Sequence, residues 1–258
     1  MTGPKASFTW WSFKDRSVTD HELLRGAASL GYDGVELADE ALWPEITDAG
    51  LSLATLRGHE PLELGLNRLD HHDRLEREIL ANLELAQCWH IPILICFSGN
   101  RDGLSEAEGR ANTVTGLARV ARAAEEAQVT LALELLNSRV DHPDYQCDRT
   151  SWGMQVIDQV NSPRVKLLYD VYHMQIMEGD IIRTIDAHHD AFAHYHVAGN
   201  PGRHEPDDTQ ELNLPPIYRA IAATGYSGFV GQEFIPASGD PLASLGTALA
   251  AFRAAVSD

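Results

Sequence analysis

The feature that most constrains this chain is a rhythm: a short apolar or β-branched run, a loop, then a longer stretch with apolar residues three and four apart. The unit recurs eight times. Strand runs fall at 8–11 (FTWW), 34–37 (GVEL), 51–56 (LSLATL), 93–97 (ILICF), 130–134 (TLALE), 165–170 (VKLLYD), 192–197 (FAHYHV) and 228–233 (GFVGQE). Helices are predicted to begin near Thr19, Glu40, Asp70, Ser105, Thr150, Asp180, Leu214 and Pro241, several of them behind a Ser, Thr or Asp suited to an N-cap. Near-continuous apolar runs such as ILICF and TLALE suit a parallel sheet covered by helices. Eight βα units in 258 residues are the count and size of an α/β protein built as a closed (β/α)8 TIM barrel. The rival, an open doubly wound sheet, lacks its GxGxxG after the first run. No linker or shift of composition divides the chain, so one domain over 1–258 is predicted.

The longest irregular segments, 57–69, 137–149 and 198–214, each follow a strand run, where a barrel builds its active face. Charge narrows the partners. With 20 Lys+Arg against 38 Asp+Glu the net charge is −18, a surface that repels nucleic acid and anionic lipid. No run approaches the roughly 20 apolar residues of a membrane span, and residues 1–7 (MTGPKAS) lack the apolar core of a secretory signal. A soluble, cytoplasmic protein is expected, and self-association is compatible with it. Cys88, Cys96 and Cys147 form no CxxC pair and suit a reducing compartment as free thiols.

Four strand ends carry metal-ligand chemistry. Glutamate is unfavourable in a strand, yet Glu134 ends TLALE and Glu233 ends GFVGQE. Asp170 ends VKLLYD, and His196 falls near the end of FAHYHV. Taken singly, each reads as readily as a loop carboxylate, a helix cap or a core histidine. Unrelated loop residues, however, have no reason to collect at the same end of four consecutive strands. Three carboxylates and an imidazole on one rim suit a divalent cation, Mg²⁺ or Mn²⁺ ahead of Co²⁺ or Zn²⁺. Without a cation the carboxylates would repel one another.

The segments LALELLNSR (131–139), VKLLYDVYHMQIMEGD (165–180), NPGRHEP (200–206) and GFVGQEFIP (228–236) resemble hydroxypyruvate isomerases. These belong to the xylose-isomerase-like barrels and are related to ketose 3-epimerases of the D-tagatose type. The resemblance is specific in the C-terminal half, whereas residues 1–103 share only the rhythm of elements. It implies that Glu134, Asp170, His196 and Glu233 bind one divalent metal, with Glu134 and Glu233 also acting as the acid–base pair. It further implies that His173 contacts substrate and that Arg203 and His204 face its polar end. Two departures bear on the substrate. The third ligand position, usually glutamine in hydroxypyruvate isomerases, is His196 here, as in the epimerases. Conversely, the second glutamate of the epimerases is replaced by Val140, with Asn137 and Arg139 close by. A guanidinium suits a substrate carboxylate; Arg139 reads equally as a partner of Asp141 or Asp144.

The expected activity is a metal-dependent aldose–ketose isomerisation of a small hydroxy-oxo acid, hydroxypyruvate to tartronate semialdehyde or a four-carbon homologue, without an organic cofactor. Two carboxylates divide the removal and return of a proton, and a metal steadies the charge on two adjacent oxygens. The alternatives are a ketose 3-epimerase, an apurinic-site endonuclease, which the charge opposes, and a non-catalytic sugar-acid binder. His59, in RGHE after the third strand run, is taken as a further substrate contact. Trp10 and Trp11 are expected to end the first strand, one lining the pocket wall. The doublets His71–His72 and His188–His189 are expected on a solvated surface.

Overall fold

The computed structural model describes residues 3–14, 17–237 and 239–257, so residues 1, 2, 15, 16, 238 and 258 of the predicted domain lie outside the described residues. Eight parallel strands are found among the described residues: β1 (Lys5–Thr9), β2 (Gly34–Glu36), β3 (Ser52–Arg57), β4 (Ile93–Cys96), β5 (Thr130–Glu134), β6 (Val165–Asp170), β7 (Phe192–Val197) and β8 (Phe229–Gln232). They follow one another in sequence order around a closed barrel, the predicted (β/α)8 architecture. The helices between them are α1 (Trp10–Phe13), α2 (Asp20–Leu30), α3 (Trp43–Asp48), α4 (His72–Trp89), α5 (Glu106–Ala127), α6 (Thr150–Val160), α7 (Val171–Met177), α8 (Ile181–His188), α9 (Leu214–Ala223) and α10 (Pro241–Val256). Among the described residues no helix is long and apolar enough to cross a membrane.

The chain divides into two compact units. The first comprises the described residues of 1–54, 180–189 and 194–258. Its strands β8, β1 and β2 pair side by side, with Ser7 opposite both Gly231 and Gly34, and β7 joins β8 with His196 opposite Gly231. Phe8 packs edge-on against Phe13 and Tyr32, with ring centroids 5.6 and 5.3 Å away. The helix α2 starts at a capping box in which Thr19 and Glu22 satisfy each other's backbone N–H groups, and it buries Leu23, Leu24 and Ala27. Each of the two leucines, removed from water, contributes about 1.5–3 kcal/mol.

The second unit comprises 55–179 and 190–193. Here β3, β4, β5 and β6 pair in succession, the central strands fully buried, as their unbroken apolar sequences require. On α4, Leu75, Ile79, Leu83 and Ala86 recur at helical spacing and are buried. Cys96 and Cys147 are buried free thiols, and burial pushes the Cys96 thiol up to about 12.

Two expectations need correction. Trp10 and Trp11 do not end the first strand but open α1, because the ladder partners of β1 stop at Gln232 opposite Phe8 and at Glu36 opposite Thr9. His72 is not solvated. It is 2% exposed, its Nε2 hydrogen-bonds the Leu66 carbonyl at 2.8 Å, and Gly116 of α5 packs so closely that a Cβ there would stand 2.9 Å from that nitrogen. His71, His188 and His189 are half-exposed.

Candidate active site

In the second unit, Glu134 is the last residue of β5 and Asp170 the last of β6, 5% and 1% exposed. Tyr145 fixes the end of β5: its hydroxyl donates to the Glu134 carbonyl oxygen and accepts the Ser98 N–H, both at 3.0 Å. Asp170 doubles as the N-cap of α7, its Oδ1 accepting the His173 N–H at 3.0 Å, which returns the imidazole of His173 to 3.7 Å from Asp170 Oδ2. The chain thus passes from strand to helix without a loop. Asn137 holds the other side of that ring, with Nδ2 2.6 Å from His173 Nδ1 and 2.6 Å from Asp141 Oδ2. Its own Oδ1 accepts the N–H groups of Val140 and Asp141.

In the first unit, His196 is next to last in β7 and Glu233 immediately follows β8. Glu233 Oε2 lies 3.2 Å from His196 Nδ1 and 2.6 Å from Arg203 Nη2, while the Trp11 indole N–H donates to Oε1 at 3.2 Å. The Arg203 guanidinium also stacks over the Trp11 ring, 5.2 Å from its centroid. Behind His196 sits a further buried group. Glu36 Oε2 lies 3.0 Å from His196 Nε2 and 2.8 Å from His194 Nε2, and all three residues are fully buried. Burial alone would push the Glu36 carboxyl up, but the two imidazoles and their hydrogen bonds outweigh it and hold the group well below the usual carboxylate range.

The remaining expected contacts are engaged elsewhere. His59 is buried with Nε2 accepting the Phe97 N–H at 3.0 Å, and burial, offset in part by Glu78, pulls its pKa down to about 4. Arg139 is exposed and donates to the Ile176 carbonyl at 2.7 Å, rather than to Asp141 or Asp144. His204 is exposed, with Nδ1 2.8 Å from the Ile235 carbonyl oxygen. Sequence reasoning missed Glu36 and His194. Glu36 carries the same mark that singled out Glu134, a glutamate closing a strand, but GVEL was read as running on to Leu37. The strand stops at Glu36 because Leu37 turns into the left-handed region at φ 53°.

The donor chemistry fits a divalent cation. His196 Nδ1 and Glu233 Oε2 stand 3.2 Å apart, close to the ~3 Å separating adjacent donors bound to one ion through bonds of 2.0–2.2 Å. Glu134 and Asp170 are buried carboxylates, which need compensation by charge or hydrogen bonds.

Comparison with known proteins identifies the family. The family model described as the xylose isomerase-like TIM barrel matches residues 24–255. A human protein named putative hydroxypyruvate isomerase is 29% identical over 242 residues, 88% of this chain and 87% of its own length. A 2-oxo-tetronate isomerase from Cupriavidus necator is 36% identical over 133 residues, 52% of this chain and 50% of that protein. Among solved structures, one described as an AP endonuclease, family 2, from Brucella melitensis superposes with a TM-score of 0.83 at 26% identity, covering 93% of this chain and 96% of that one.

Proposed function

Since the chain belongs to the xylose isomerase-like TIM barrel family, in its hydroxypyruvate isomerase group, we propose that this isomerase exchanges the carbonyl on C2 and the hydroxyl on C3 of a small 3-hydroxy-2-oxo acid at a divalent metal site. Hydroxypyruvate, giving tartronate semialdehyde, is the leading substrate, and its four-carbon homologue is the next. The observation that supports the reading is that four buried residues of ligand type stand at or beside the ends of successive strands: Glu134 and Asp170 as the last residues of β5 and β6, His196 one residue before the end of β7 and Glu233 one residue after β8. These four would hold the cation, Mg²⁺ or Mn²⁺ first for an oxygen-rich set. When bound, it supplies a Lewis acid for the substrate's carbonyl and hydroxyl oxygens.

The chain's own groups do the rest. Of Glu134 and Glu233, one carboxylate takes the proton from the hydroxyl-bearing carbon and the other returns a proton to the former carbonyl carbon. A proton passes between the two substrate oxygens, so the product is an isomer with no net change in atoms or electrons. Arg203, stacked on Trp11, offers a guanidinium to the substrate carboxylate, and His173, oriented by Asn137, offers an imidazole to a substrate oxygen. Keeping these groups in place before substrate arrives removes much of the orientational cost of the reaction.

The test is an assay of the purified protein, with Mg²⁺ or Mn²⁺ added, on hydroxypyruvate, its four-carbon homologue and free ketohexoses. Turnover of the hydroxy-oxo acids with deuterium uptake from D₂O at the reacting carbon is expected. Turnover of ketohexoses alone would establish the epimerase alternative instead, and substrate binding with no deuterium uptake would make the protein a binder.

A further inference from the structure

Glu36 is a fully buried carboxylate that the proposed proton transfers do not use. Sinking such a charge into a barrel interior is costly, and an apolar residue of similar volume would serve a merely structural role as well or better. Its surroundings are nevertheless built around it. Ser7 Oγ of β1 donates to Oε1 at 2.5 Å, and Oε2 faces Nε2 of both His194 and His196 on β7. Opposite His196 in the ladder, β8 places Gly231, where a Cβ would stand 2.2 Å from Glu36 Oε1. The carboxylate's position is therefore set from β1, β7 and β8 as well as from its own strand.

We propose that Glu36 is a positioning residue for His196: by accepting the Nε2–H of that ring it keeps the proton on Nε2 and turns the Nδ1 lone pair toward the cation shared with Glu233. This rests on the metal cage proposed above. A neutral imidazole carries one N–H, and the nitrogen that binds a metal must be the one without it. A carboxylate behind a ligating histidine both selects that tautomer and raises the ring's basicity. His196 has the required polarity, with Nε2 3.0 Å from Glu36 and Nδ1 3.2 Å from Glu233 on the opposite side. His194 supports the arrangement twice. It is a second neighbour of the same Glu36 oxygen, and its ring meets that of His196 edge-on at 4.8 Å between centroids, which restricts rotation of the ligand.

Titration with Mn²⁺ alone, followed by electron paramagnetic resonance, tests the assignment on wild-type protein and Glu36→Gln. The variant is expected to bind Mn²⁺ about 10–100-fold more weakly with an unchanged circular dichroism spectrum. Affinity within twofold of wild type would overturn the positioning role. Wild-type protein that binds no Mn²⁺ would instead defeat the cage itself, and the positioning role with it. If Glu36→Gln does not fold, the wild type still decides. Long-range ¹H–¹⁵N spectra of histidine-labelled, Mg²⁺-loaded protein should show His196, identified by its loss in His196→Gln, as the Nε2–H tautomer. An Nδ1–H tautomer would overturn the assignment.

Discussion

The carboxylate of Glu233 receives the Trp11 indole on one oxygen and the Arg203 guanidinium on the other, so its charge has partners within the protein and its orientation is fixed. Glu134 is held through its backbone by Tyr145, whose hydroxyl donates to its carbonyl oxygen. If these two carry the proton, Glu134→Gln and Glu233→Gln should each fold normally and retain less than a tenth of wild-type turnover, since a positioned acid or base contributes about 10²–10⁴-fold. Retention above a tenth in either would contradict the paired scheme. His59 makes a separate prediction. Its folded pKa of about 4 lies below the unfolded value near 6.5, so its contribution is intact above pH 6.5 and lost as pH falls, the unfolded chain taking the proton first. Urea unfolding at pH 7.5 and 4.5 should show wild type losing about 2–3 kcal/mol more than His59→Gln. Equal losses would mean that His59 does not titrate as its burial demands.

At the scale of elements, β5, β6 and β7 have the limits that their sequences predict; β5 and β6 are short, largely apolar runs that end in a carboxylate. What composition could not convey is ladder length. FTWW has every property of a strand, yet Trp10 and Trp11 turn into α1 because β2 and β8 offer no further partner. Likewise α7 was illegible. Seven residues immediately after β6 leave no loop to mark a boundary, and the cap is Asp170, a residue legible only as a ligand. Glu36 was hidden by a one-residue error in the end of β2, which placed it inside a strand rather than at its tip. The β8 strand makes the cost of crowding this layer measurable. Gly231→Ala would force a Cβ against Glu36 Oε1 and, at 2.8 Å, His196 Cδ2, and should destabilise the fold by about 1–3 kcal/mol. Gly239→Ala, with nothing within 4 Å of the new carbon, should stay within about 0.5 kcal/mol of wild type. Equal stabilities of the two variants would refute the tight packing of Glu36 against β8.

For the whole molecule, the eightfold rhythm made the barrel legible, while the ordered C-terminal motifs made the family legible. The N-terminal half contributed only rhythm, yet it supplies Trp11 and Glu36, which contact Glu233 and His196 through folding alone. No local pattern announces such contacts, because they join residues 160 or more positions apart. The net charge of −18 also gains meaning at this scale: an anionic substrate of the kind proposed would approach an acidic protein and would need local positive charge, which Arg203 and a bound cation would supply. Whether a divalent cation and strand-end carboxylates together isomerise a small hydroxy-oxo acid can be read from a single assay. Turnover of hydroxypyruvate to tartronate semialdehyde is followed in protein stripped of metal by chelation, before and after Mn²⁺ is restored. Less than a hundredth of full activity is expected in the stripped protein, with recovery on adding Mn²⁺, whereas undiminished turnover in the stripped protein would refute a role for the metal.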